Sequence, residues 1–88
     1  MDMNVLGVVE DISHEGLIIV RGEVTPEYGN IVCDPKGKKI GTVKRIFGPV
    51  KEPYISVVPA DRSVLKGIEG KKVYFEEGTQ YGKNKRRN

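Results

Sequence analysis

The 88-residue sequence predicts an all-β domain, a small barrel or sandwich of six short, mainly antiparallel strands. Three observations carry this reading. Turn signals built on Gly, Pro, Asp and Asn recur at short intervals, and the pieces between them are rich in Val and Ile. No stretch between breakers keeps apolar residues at i, i+3, i+4 and i+7 over a helical length. A chain this short forms one domain and buries only about 60 to 65% of the surface its unfolded form exposes, so its core is thin.

The first strand runs from Val5 to Ile12 and ends at the turn Ser13-His14-Glu15-Gly16. Leu17 to Gly22 follows, up to the loop Thr25-Pro26-Glu27-Tyr28-Gly29-Asn30. Ile31 to Asp34 and Lys38 to Phe47 form a tight hairpin across Asp34-Pro35-Lys36-Gly37, where proline presets one turn dihedral and glycine accepts a positive φ. Gly48-Pro49 then breaks the chain before Tyr54 to Val58, and a single helical turn is placed around Ser63 to Lys66. Lys71 to Glu76 completes the set, between Glu69-Gly70 and Glu77-Gly78. Gly7 and Gly41 fall inside strands, where a missing side chain marks a bulge or a sharp bend, as a closed and curled sheet requires. The expected division is a barrel domain over 1–78 and a short, disordered basic tail over 79–88.

A small barrel turns every second residue inward, yet several pieces are apolar at both parities: Leu17-Ile18-Ile19-Val20, Ile31-Val32-Cys33, Ile46-Phe47 and Val57-Val58. Some of these face outward, to be covered by a loop, by the terminal segment or by a protein partner.

Few residues here can do chemistry. One histidine and one cysteine are too few for a zinc site unless carboxylates dominate it, and no other metal or cofactor is expected. Gly37-Lys38-Lys39 lacks the spacing of a phosphate loop and sits in a hairpin. His14 lies between Ser13 and Glu15, but neighbours in one tight turn cannot form a nucleophile, base and orienter array. Glu10, Asp11 and Glu15, or Glu76 with Glu77, read as solvated carboxylates at strand ends. Tyr74 and Phe75 point to opposite faces and make no base-stacking pair. No catalytic residue is expected, and a pocket for a small-molecule substrate does not fit within so small a fold.

The formal charge is +3, and the last eight residues supply four cations, Lys83, Lys85, Arg86 and Arg87, with no carboxylate, leaving a body of −1. That distribution argues against a phosphate-gripping barrel face and makes the tail either a solvated end or a salt-sensitive RNA contact. The lone Cys33 in an apolar run reads as a core thiol, which suits a reducing, cytoplasmic compartment. No apolar run is long enough for a bilayer, and Asp2 without a basic flank does not open a secretion signal.

The string from Gly37 to Tyr54, with Ile40-Gly41-Thr42-Val43, Ile46-Phe47-Gly48-Pro49-Val50 and Pro53-Tyr54, resembles the signature of the archaeal Gar protein family, the small accessory subunit of H/ACA guide ribonucleoproteins. Ile12 to Arg21 and Pro26 to Val32 are similar to it as well. This resemblance implies a six-stranded antiparallel closed barrel like that of translation-factor second domains. It also implies a non-catalytic role beside the pseudouridine synthase catalytic subunit, assisting substrate loading and product release in rRNA pseudouridylation, with contact to the guide RNA complex mostly indirect. Unlike eukaryotic members, the sequence has no Gly-Arg-rich arms. The alternative is a barrel that binds ribosomal RNA directly during ribosome maturation or translation.

Independently of the resemblance, Ile46 to Val50 carries an apolar run into a turn where Pro49 restricts the backbone, giving a rigid apolar knob with little entropy to lose on docking. The expected synthase contacts are Phe47, Gly48, Pro49, Val50, Pro53 and Tyr54, with Ile40 and Val43 as neighbours.

Overall fold

The structure is a computed structural model and describes residues 3–76. Its strands are β1 (Met3–Ile12), β2 (Ile18–Gly22), β3 (Ile31–Cys33), β4 (Lys39–Phe47), β5 (Tyr54–Pro59) and β6 (Lys72–Glu76). One 3₁₀ turn, Arg62–Leu65, lies between β5 and β6. The strands close into an antiparallel barrel in the order β1-β2-β5-β4-β3-β6, which is the architecture the resemblance implies and one of the two, barrel or sandwich, that the turn spacing leaves open. Closure pairs every strand on both sides and removes exposed sheet edges, the usual route to aggregation. The basic tail, and the boundary at residue 78, fall outside the described residues.

Period-2 alternation fills the interior. In β2, Ile18 and Val20 are buried while Ile19 and Arg21 face out; in β5, Ile55 and Val57 point inward. Leu6, Val9, Val32, Val73 and Phe75 complete most of the core. Each such side chain contributes about 1.5 to 3 kcal/mol relative to remaining in water.

Pairing shifts by a residue at four places, between Val5 and Gly7, Val9 and Asp11, Val32 and Cys33, and Val43 and Arg45. These bulges bend the strands enough to close so few of them. Two of the intrastrand glycines, Gly7 and Gly41, are required by close approach to a neighbouring backbone. A Cβ on Gly7 would lie 2.0 Å from the Arg21 carbonyl oxygen, and one on Gly41 would lie 2.0 Å from that of Val58.

The hairpin turn after β3 is fixed by Asp34, whose Oδ1 accepts hydrogen bonds from the backbone N–H groups of Lys36 and Lys38, both at 2.9 Å. Asp61 caps the 3₁₀ turn by accepting from the Ser63 backbone N–H and hydroxyl. Those bonds, the Ser63 hydroxyl first, hold its carboxyl below the ordinary carboxylate range. The return to β6 is pinned to β1: Gly70 N–H donates to the Val9 carbonyl at 2.8 Å, and Val9 N–H donates to that of Lys71 at 2.9 Å. Ile68, buried on this segment, joins the core.

Candidate protein-docking surface

The β4–β5 ladder ends at the pair Phe47 and Tyr54, and the chain between them forms the Gly48-Pro49 turn. Both rings face outward and stack, with centroids 5.8 Å apart and planes at 23°. Gly48 sits at φ +89°, a left-handed conformation, and a Cβ there would come within 3.1 Å of the Tyr54 ring. Beyond the turn Val50 is 90% exposed, the most solvent-open large aliphatic among the described residues. An aliphatic side chain held that far from its own core, on a proline-stiffened turn beside two stacked rings, has apolar surface to bury and little freedom to lose.

Next to the turn, a groove of about 640 Å³ crosses the outer face of β2, β5 and β4. Leu17, Ile19, Ile46 and Phe47 give it apolar walls, Tyr28 and Arg45 border it, and Ser56 lies in it. The register explains the row, because Ile19 pairs with Ser56 and Ser56 with Arg45 across three adjacent strands. Ser56 is 4% exposed, and its hydroxyl has no hydrogen-bond partner among the described residues. An unpaired hydroxyl beneath an open apolar groove is an atom that an incoming partner can satisfy.

Ser13 and Glu15 also line this groove, at the turn before β2. Ser13 Oγ accepts from the Leu17 N–H and the Ser13 carbonyl accepts from the Gly16 N–H, so the turn carrying His14 is spent on its own backbone. Glu10 pairs with Arg21 at 3.4 Å, both half-exposed. The Cys33 thiol is buried and donates to Glu76 at 3.4 Å. Burial, then that hydrogen bond and the Glu76 charge, push it up to about 11, which leaves no thiolate at neutral pH. Among the described residues no group of three or more His, Cys, Asp or Glu side chains converges as metal ligands would.

The family model described as the Gar1/Naf1 RNA binding region matches residues 3–83. The chain belongs to the Gar1/Naf1 family. Two curated relatives are uncharacterized proteins of archaeal methanogens. The first, from Methanothermobacter thermautotrophicus, is 43% identical over 58 residues, covering 66% of this chain and 63% of the relative. The second, from Methanocaldococcus jannaschii, is 42% identical over 50 residues, covering 57% and 60%. These matches span less than two thirds of either relative. Among solved structures, the Gar1 domain of Naf1 shares the fold with a TM-score of 0.70 and 23% identity, over 84% of this chain and 81% of that one.

For this Gar1/Naf1 chain, the expected contact residues divide. Phe47, Gly48, Pro49 and Val50 are exposed and contiguous, and Tyr54 joins them through its ring. Pro53 is buried; its carbonyl accepts from the Gly22 N–H at 2.7 Å and so anchors the loop from behind. The expectation that Ile40 and Val43 border the surface is corrected, because both are 4% exposed and lie in the core. Three residues apart, they would face opposite sides of a regular strand. The bulge that pairs Val32 with Gly41 but Cys33 with Lys39 turns both inward. Leu17, Ile19 and Ser56 were not legible as a site, although the double-parity apolar runs signalled that some of these residues face out.

Proposed function

We propose that the chain is a non-catalytic accessory subunit of an H/ACA ribonucleoprotein that docks on the pseudouridine synthase catalytic subunit and assists guide-directed pseudouridylation of rRNA in the cytoplasm. Family membership supports the reading of the assembly, and the observation that carries the docking is Val50, held 90% exposed on the Gly48-Pro49 turn beside the Phe47–Tyr54 stack. A partner closing over Val50, Pro49 and Phe47 and reaching into the groove at Leu17 and Ile19 gains a central apolar anchor, as binding hot spots require. Uridine chemistry then belongs to the partner, and the barrel acts on loading and release of the substrate RNA.

The test is Val50→Asp. A carboxylate on an exposed turn leaves the barrel folded, so thermal melting is expected to be unchanged while capture of the synthase subunit is lost. In a reconstituted particle, turnover of guide-matched RNA is expected to drop to the level seen without this chain. A folded Val50→Asp protein that still binds the synthase at full strength refutes docking through the turn.

A further inference from the structure

The near-zero charge of the barrel conceals a separation. Residues 3–76 carry eleven Lys and Arg against ten Asp and Glu. Seven of those cations, Lys36, Lys38, Lys39, Arg62, Lys66, Lys71 and Lys72, lie in the segments 34–39 and 61–72 with only Asp34, Asp61 and Glu69 for company, a net of +4. The rest of the described chain, with four cations and seven carboxylates, is at −3. Folding brings the two basic segments together at one end of the barrel. There Lys36, Lys66, Lys71 and Lys72, with Asp34 as the one carboxylate among them, surround a groove of about 390 Å³ whose apolar floor includes Ile40 and Ile68.

These lysines are exposed, and no salt bridge among the described residues ties them to a carboxylate. Asp34 and Asp61 direct an oxygen to backbone N–H groups of their own turns. In the adjoining groove Glu15 stands near Arg62 rather than among the four lysines. The frame beneath is rigid, since Asp34 fixes the backbone at Lys36, and the Val9 ladder fixes Gly70 and Lys71. Four ammonium groups on two clamped segments, with most of the carboxylates elsewhere, meet a polyanion with a row of fixed point charges.

We propose that this lysine-ringed end of the barrel is a contact for the phosphate backbone of RNA. It engages the strand without reading its bases, since lysine ammonium groups act on phosphate as point charges. The contact is separate from the Gly48-Pro49 turn and does not rest on the docking reading. A sequence-level charge count misses it, because summing over the body cancels the two ends.

Binding of a fluorescent mixed-sequence single-stranded RNA to the full chain, titrated against salt, tests the contact. Four neutralised phosphates lower the affinity about 50-fold between 50 and 200 mM salt. Replacing Lys66, Lys71 and Lys72 together by glutamine is expected to weaken binding at least tenfold and to flatten the salt slope. Synthase capture is expected to be unchanged, and thermal melting reports whether the variant is folded. A chain with Lys83, Lys85, Arg86 and Arg87 replaced by glutamine retains the lysine-dependent part. Unchanged binding by the folded triple variant overturns the proposal, as does complete loss on neutralising the tail alone, which would assign the RNA to the terminus. A failed synthase experiment leaves this result standing, because the isolated chain is the reagent.

Discussion

The ring of Phe47 lies on that of Tyr54, 5.8 Å between centroids, at the final rung of the β4–β5 ladder. Cross-strand aromatic pairs of this kind couple by about 0.5 to 1.5 kcal/mol beyond their area burial. Since Phe47 is half-exposed, the lower part of that range is expected. A double-mutant cycle on Phe47→Ala and Tyr54→Ala, read by urea unfolding, measures it. Synthase capture should fall much further for Phe47→Ala than this stability loss explains.

Two glycines separate close approach from backbone conformation. Gly67 has φ +65° and open space around it, so Gly67→Ala bears only the left-handed penalty, about 1 to 2 kcal/mol. At Gly41 the added methyl would meet the Val58 carbonyl oxygen at 2.0 Å and Val57 Cγ1 at 2.9 Å. Only parting β4 from β5 relieves that contact. Gly41→Ala is expected to cost about 4 kcal/mol or more, much of the stability of a domain this size. Thermal melts of the two variants check the ordering, and equal losses would mean the ladder opens easily at Gly41.

Much of this barrel can be read from residues alone, because its strands are short, Val- and Ile-rich and separated by turns whose Gly and Pro positions have one geometric use. The structure places Gly37 at φ +88° in the predicted hairpin turn and a 3₁₀ turn where a single helical turn was expected. The exposed face was harder to read, because bulges break the two-residue period. Strict alternation from Val43 points Arg45 and Phe47 inward. The shift between Val43 and Arg45 instead sets Ile46 opposite Ile55 and leaves Phe47 outside beside Tyr54. Gly41 marks the bulge beside Ile40, but a bulge also depends on partner strands distant in sequence, and nothing local to Val43 or Lys44 announces the second one. The lysine end escaped for a related reason, as its cations come from segments that only folding unites.

Cys33 gives the barrel an alkaline weakness. Its folded-state pKa of about 11 lies above the ordinary value of 9.0, so the folded chain keeps the proton where the unfolded chain has lost it. The thiol's contribution is therefore whole below pH 9 and disappears as pH rises towards 11. Two pKa units correspond to about 2 to 3 kcal/mol. Urea unfolding from pH 8 to 11 is expected to show wild type losing about that much more than Cys33→Ala, which removes the titrating group. Parallel curves would show that Lys and Tyr titration accounts for the alkaline loss.

Ser56 should respond with opposite signs in the free and the docked chain. In the free barrel its hydroxyl is buried without a hydrogen-bond partner among the described residues, and such a group is a net liability of about 1 kcal/mol or more. Ser56→Ala removes the liability with almost no change in volume, so the isolated chain should unfold at slightly higher urea. If the synthase enters the groove over Ile19 and Arg45, a polar group of the partner can reach the hydroxyl. Losing that bond weakens docking by about 1 kcal/mol, roughly fivefold. Higher stability with weaker capture places the partner in the groove, whereas higher stability with undiminished capture confines docking to the Val50 turn. A destabilised Ser56→Ala would show that the hydroxyl is satisfied in solution and would remove it from the argument.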